Sequence, residues 1–218
     1  MAAQNAMKKS LNAVNLRRNL LPRSFFPLLA VLFIACSGLA SPTYELGPTY
    51  GHVRFSITKW GVFQEEGSFR DLAGTLDFDP RRPETSRVDV VVQAASIDTN
   101  NSTRDSTLRS DDFFDVLKFP TLEFHSTQVV PKEPGNFDVS GNLTVHGVTK
   151  LITVRARLLG MSDQPGVGQL VGFETTFRID RSDYGILGSR WSAGRLVLGR
   201  EVQISIRLGG VRRKQITH

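Results

Sequence analysis

A two-residue alternation of apolar and polar side chains, returning from one end of the chain to the other, constrains this sequence more than any other feature. Val53, Phe55 and Ile57 alternate with Arg54, Ser56 and Thr58. That is the pattern of a strand with one buried face, because successive strand residues point to opposite sides. The same phase recurs in Leu72, Gly74, Leu76 and Phe78, in Val88, Val90, Val92 and Ala94, and in Leu122 and Phe124. It continues through Phe137, Val139, Gly141, Leu143 and Val145, then Ile152, Val154, Ala156 and Leu158. Val171, Phe173, Thr175, Phe177 and Ile179 follow, and Val202, Ile204, Ile206 and Leu208 close the series. The runs make about eight strands. Between them lie Asp79-Pro80 with Pro83, Pro131 to Gly135, His146-Gly147 and Gln164-Pro165-Gly166, short turn signals that join antiparallel neighbours.

Beyond residue 40 nothing keeps a helical period for three turns, so helices are expected to be brief, one or two in all. The best candidate lies within Ser102 to Phe114, where Ser and Thr can cap a first turn and Leu108 reaches toward Phe113 or Phe114. The fold class is therefore all-β. Eight antiparallel strands with one apolar face close into a barrel or stack as two sheets. A barrel of eight has room inside for one small ligand, whereas a sandwich core is filled by its own side chains.

Residues 1–40 carry Lys8, Lys9, Arg17, Arg18 and Arg23 with no acidic residue, then an apolar run from Phe25 to Ala35 and small residues up to Ala40. This reads as a secretory signal, and the run, with Pro27 inside it, is too short to span a bilayer as a helix. Gly38-Leu39-Ala40 suits a signal peptidase, leaving residues 41–218 as the mature domain. Phe33-Ile34-Ala35-Cys36 is the alternative, a lipoprotein box that would anchor the chain through Cys36. Export to the periplasm or beyond is the expected localisation. Removing five basic residues from the 27 Lys plus Arg leaves 22 against 21 Asp plus Glu, so the mature domain is close to neutral. The electrostatic case for nucleic acid falls away with the signal. Only Arg212, Arg213 and Lys214 cluster, and they sit in the tail. Cys36 is the sole cysteine, so the mature domain has neither disulfide nor thiol nucleophile and must be held by its core.

The 14 Phe, three Tyr and two Trp lie largely on or beside the alternating strands. Singly they are core; together they could line an apolar lumen, where each buried ligand methylene gains about 0.8 kcal/mol. The candidate wall is Phe55, Phe63, Phe69, Phe78, Phe113, Phe114, Phe124 and Trp191. Arg104, Asp105 and Tyr184 are the candidate polar groups near a ligand head or in the loops framing it. The polar stretch from Ser96 to Asp112 reads first as a structural latch, in which Arg104 and Asp105 fix the loop by charge-assisted hydrogen bonds. In the other reading Arg104, Asp105 or Arg109 meets a polar head, and the same choice applies to Arg181, Asp183 and Tyr184. No chemistry assembles beside them. His52, His125 and His146 lack metal-ligand spacing, and no G-x-S-x-G nucleophile elbow is present, so no catalytic, metal or cofactor residues are assigned.

Four ordered motifs carry a family resemblance. Ser96-Ile97-Asp98-Thr99, Arg104-Asp105, Leu108-Arg109-Ser110, Phe113-Phe114-Asp115 and Phe119-Pro120 with Phe124 resemble the central signature of the YceI-like family. Gly141 to Lys150 is similar to its second motif, Arg181 to Ile186 to its third, and Gly199-Arg200-Glu201-Val202 to its fourth. The match covers residues 43 to 209. The resemblance implies a lipocalin-like eight-stranded antiparallel barrel, exported to the periplasm, that binds a polyisoprenoid, an isoprenoid quinone or a fatty-acid-like lipid in its lumen without catalysis. Two other roles are retained: an enzyme acting on a lipid-like substrate, which needs a titratable group such as Asp105 or His146 in the cavity, and an accessory protein docking to a membrane partner. A homodimer through the barrel rim is a further expectation.

Overall fold

The computed structural model describes residues 41–188 and 198–212. Residues 1–40 with Cys36, the candidate wall residue Trp191, and Arg213 and Lys214 lie outside the described residues.

Among the described residues eleven strands form one antiparallel sheet: β1 (Thr43–Leu46), β2 (His52–Lys59), β3 (Phe63–Phe69), β4 (Leu72–Asp77), β5 (Arg87–Gln93), β6 (Ile97–Asp98), β7 (Thr121–Pro131), β8 (Asn136–Val145), β9 (Val148–Gln164), β10 (Gly168–Asp180) and β11 (Leu198–Arg212). The ladders join them into eight staves, three of which are interrupted once. β1 and β2 follow one another along β11, with Glu45 opposite Val211 and His52 opposite Arg207. β3 and β4 run as one stave along β2 and β1, and β5 and β6 as one along β4 and β3. Each of the remaining five strands is a stave. Spatial neighbours are sequence neighbours around the whole ring, and the pairing of β1 with β11 closes it. The expected eight-stranded antiparallel barrel is the observed fold, and every alternating run sits on its own stave. β1, β3 and β6 are the segments that periodicity missed.

The interruptions have local causes. Between β1 and β2 lie Gly47 and Pro48, and Pro cannot donate to a ladder. Arg70 and Asp71, between β3 and β4, lie against the 3-10 turn Ala94–Ser96: Arg70 N donates to Ser96 O at 3.2 Å and Gln93 N to Asp71 O at 3.0 Å. The backbone groups remain paired across the break while two adjacent staves bend together.

The two ends of the barrel differ. At one end are the β2–β3 turn, the long β6–β7 connection with α1 (Ser102–Arg109), the β8–β9 turn and the start of the β10–β11 connection. At the other are the β4–β5, β7–β8 and β9–β10 turns. The β8–β9 turn is His146-Gly147, with φ of 50° and 75°, the pair of left-handed residues that a two-residue hairpin requires. Only glycine fits the second position, because a Cβ on Gly147 would lie 2.4 Å from Phe119 Cε1. The single α-helix among the described residues lies within the expected stretch but ends at Arg109, and its N-cap is Asn101, accepting from Arg104 N at 3.0 Å, rather than the expected Ser or Thr.

Candidate ligand-binding site

The inward face of the staves encloses a cavity of about 660 Å³, within the range of small-molecule pockets. Its walls are the alternating residues themselves, including Val90 and Val92, Val139, Ile152 and Val154, Phe177 and Ile204. The barrel is thus lined rather than filled by its core.

Aromatic rings set the limits of this lumen. Away from α1, Phe78, Phe137 and Phe173 meet edge-on at centroid distances of 5.0, 5.9 and 6.0 Å, and Phe78 and Phe137 are buried. They form a floor. Nearer α1, Phe69 touches both Phe55 and Phe114 at 5.7 Å. Gly67 makes this cluster possible, since a Cβ there would lie 2.4 Å from Phe55 Cζ.

At the α1 end the lining turns polar. Lys59, Glu65, Thr99, Asn101, Thr103, Arg104 and Thr107 join the wall, and Glu65 sits between two cations, 2.9 Å from Lys59 Nζ and in direct contact with Arg104 Nη1. The three side chains are a quarter to a third exposed, so the lumen reaches solvent beside them. This is its mouth. The hydrogen bond from Lys59, reinforced by the charge of Arg104, holds the Glu65 carboxyl below the usual carboxylate range against the opposing effect of burial.

The polar stretch after β6 is a latch whose clasp is Thr99. Asp105, buried, accepts from Thr99 N at 2.9 Å and from Thr99 Oγ1 at 2.6 Å. Arg104 donates from Nε to Thr99 Oγ1 and from Nη2 to Thr99 O, both at 2.8 Å. Arg109 reaches back to Ala95 O at 2.8 Å and Ile97 O at 2.6 Å. The motif's charged residues therefore bind the backbone of the stave beside them. A second clasp is Arg181, buried, which donates to the carbonyls of Gly199, Ile186, Leu187 and Leu198 at 2.7–3.3 Å. Burial lowers its pKa and raises that of the Tyr184 phenol. Ser86 also lines the lumen, and its Oγ is buried without a hydrogen-bond partner.

Of the sequence-derived residues, Phe55, Phe69, Phe78, Phe113, Phe114, Phe124, Arg104 and Tyr184 all line the cavity. Asp105 stands behind the wall as the clasp. Phe63 is a correction to the candidate wall. It shares the phase of Glu65 and Phe69 but begins β3 at the tip of the hairpin, beyond the end of the lumen, where it is 60% exposed and meets Trp60 edge-on at 6.1 Å. Lys59 and Glu65 were missed. The available signal was the spacing 63, 65, 67, 69, which continues the inward phase through a stretch too polar to score as a strand.

The model of the YceI-like domain matches residues 44–209. Protein YceI of Salmonella arizonae is 37% identical over 201 residues, covering 91% of this chain and all of that protein. Among solved structures, BcnA of Burkholderia cenocepacia superposes with a TM-score of 0.68 at 21% identity, over 75% of this chain and 98% of that one. A polyisoprenoid binding domain from Saccharophagus degradans superposes with a TM-score of 0.63 at 16% identity, over 79% of this chain and all of that one.

Proposed function

Since this chain belongs to the YceI-like domain family, we propose that residues 41–218 form an exported binding protein that holds one long isoprenoid-like lipid along the barrel axis, its tail on the aromatic floor and its head at the Lys59–Glu65–Arg104 mouth. The observation that carries this reading is the apolar-walled lumen of about 660 Å³. The polyisoprenoid binding domain from Saccharophagus degradans has the same fold, which supports the choice of ligand class. Export rests on the signal-like residues 1–40.

Energetics favour a long chain over a short one. Micromolar affinity needs about 8.2 kcal/mol, and association costs at least about 4 kcal/mol. At about 0.8 kcal/mol per buried methylene, roughly 15 buried carbons are required before the head contributes. A polyprenyl or quinone tail meets that length. The mouth offers cationic donors to a carbonyl, hydroxyl or phosphate head. A binding role rather than catalysis is supported by the engagement of Asp105 and Arg181 with backbone groups, which leaves them to hold structure.

Native mass spectrometry of the protein purified from its own host tests the proposal. The expected spectrum shows a retained lipid mass, and added polyprenyl lipids or quinones raise the melting temperature. Bare polypeptide alone, with no thermal response to either lipid, refutes it.

A further inference from the structure

The β2–β3 hairpin ends in Trp60-Gly61-Val62-Phe63, where Trp60 is 59%, Val62 74% and Phe63 60% exposed. Single exposed apolar residues are ordinary. Three within four positions, on a tip that contacts the lumen mouth, are not. Trp60 also holds φ at 51°, a left-handed conformation that is costly for a bulky side chain. Together with Gly61 at 72° it makes a tight turn, closed by Val62 N donating to Lys59 O at 3.2 Å. The strain is retained where it leaves a tryptophan in water.

The tip is physically joined to the mouth. Lys59 Nζ lies 4.6 Å from the centre of the Trp60 ring while bonding Glu65, and Glu65 contacts Arg104. At the same end of the barrel Leu117 is 97% exposed, and its neighbour Lys118 sits 5.1 Å over the Phe119 ring. Aromatic and aliphatic side chains flanked by lysines match a water–lipid boundary, where the ring enters the acyl region and the ammonium stays at the headgroups.

We propose that the Trp60–Phe63 tip is a membrane-docking element that inserts into a lipid bilayer and seats the lumen mouth at headgroup level, so that a lipid tail passes between bilayer and barrel with little exposure to water. The inference rests on the lumen-binding reading above. In this pose the Phe78–Phe137–Phe173 floor faces away from the membrane, and Lys59 and Arg104 stand where a departing head would meet them.

The test is flotation of the purified protein with vesicles of phosphatidylethanolamine and phosphatidylglycerol. Wild type is expected to float with the vesicles. The triple variant Trp60→Ser/Val62→Ser/Phe63→Ser is expected to partition about tenfold less or weaker, each tenfold being about 1.4 kcal/mol. Leu159→Ser/Met161→Ser, which alters exposed apolar residues toward the opposite end, is expected to float like wild type. Native mass spectra of the triple variant are expected to keep the retained lipid, which separates loss of docking from loss of binding. The proposal is overturned if wild type stays in solution, if the triple variant floats undiminished, or if the Leu159/Met161 variant is the one that fails. It is overturned equally if the tip captures a solubilised membrane protein but ignores protein-free vesicles.

Discussion

Replacing Asp105 by Ala removes the acceptor from the clasp that holds α1 and the β6–β7 connection. The carboxylate takes two hydrogen bonds from Thr99, at 2.9 and 2.6 Å, in a buried setting. Bonds to a charged partner contribute about 1.5–3 kcal/mol each, and a buried donor left unpaired costs a similar amount. The two are not independent, so a total of about 3–5 kcal/mol is expected for Asp105→Ala. For a domain of this size each kcal/mol moves the melting temperature by about 2–4 °C, giving a drop of roughly 6–20 °C by calorimetry. Glu84→Ala, an exposed change in the 3-10 turn Pro83–Thr85 between β4 and β5, is expected to move it by less than about 2 °C. A double-mutant cycle makes the reasoning sharper. If the loss comes from the bond to Thr99 Oγ1, Thr99→Val should cost much less in the Asp105→Ala background than alone, a coupling of about 1–3 kcal/mol. Additivity within about 0.5 kcal/mol, or a melting temperature unmoved by Asp105→Ala, would refute the clasp.

Three further outcomes follow from the structure. The depressed Glu65 pKa means that the mouth network contributes fully above the unfolded value near about 4.3 and is lost as pH falls through the lower folded value. A fluorescent long-chain probe should therefore stay bound at neutral pH and escape faster below that range, while Glu65→Gln should release it faster at neutral pH with a flattened pH profile; an unchanged profile defeats the assignment. His125 has the opposite sign. Its pKa is raised, first by the hydrogen bond to Asp89 at 2.7 Å, so its stabilisation is complete below about 6.5 and disappears as pH rises through the folded value. The group is half-exposed, so the effect is small, and it should appear as a wild-type advantage over His125→Gln by urea titration at pH 5.5 that vanishes at pH 8.5. Ser86→Ala removes a buried hydroxyl with no partner and should stabilise by about 1 kcal/mol; a clear loss by denaturant titration would mean that the hydroxyl has a role in the folded wall.

The eight staves were legible because their period carries the physics directly: a stave with one buried face must alternate, and eight such runs were present, while the choice between a closed barrel and two stacked sheets came from the family resemblance. What the pattern could not convey was where alternation survives with polar residues in it. Gln64-Glu65-Glu66-Gly67-Ser68 looks like loop, yet Val53↔Phe69 through Lys59↔Phe63 is an unbroken ladder, and the inward positions hold a carboxylate and a glycine because the lumen needs a polar mouth and room for the Phe55 ring. Phe63 was misplaced for the converse reason. Phase says which face a residue takes, not how far along the barrel it lies, and at the hairpin tip the inward face has no interior to point into. The clasp was half legible: Arg104 and Asp105 were recognised as latch residues, but they do not pair with each other. Both close on Thr99, which ends the Ser96–Thr99 motif and carries no charge to mark it as their partner.

That arrangement bears on how a ligand enters. The later staves are tied by long ladders, unbroken between β8 and β9 and between β10 and β11 and shifted once at Ser126 to Gln128 between β7 and β8, and opening the barrel wall would break many bonds together. Between β6 and β7 lies instead the connection bearing α1, held by side-chain clasps at Thr99, Ala95 and Ile97, by the backbone bond from Gly188 N to Asp112 O and by the packing of Phe113. Local opening draws on the regions with fewest ladder bonds, so the route for a long chain runs past α1, beside the charged trio, rather than through the wall or the aromatic floor. The polar stretch then has two duties without contradiction. It stabilises the closed barrel through Asp105, and because it is fastened by a few identifiable bonds, it is also the part that can yield. Weakening the clasp with Asp105→Asn should therefore raise both the rate of probe uptake and the rate of release by similar factors, leaving affinity nearly constant. A change confined to the release rate would place the entry route elsewhere.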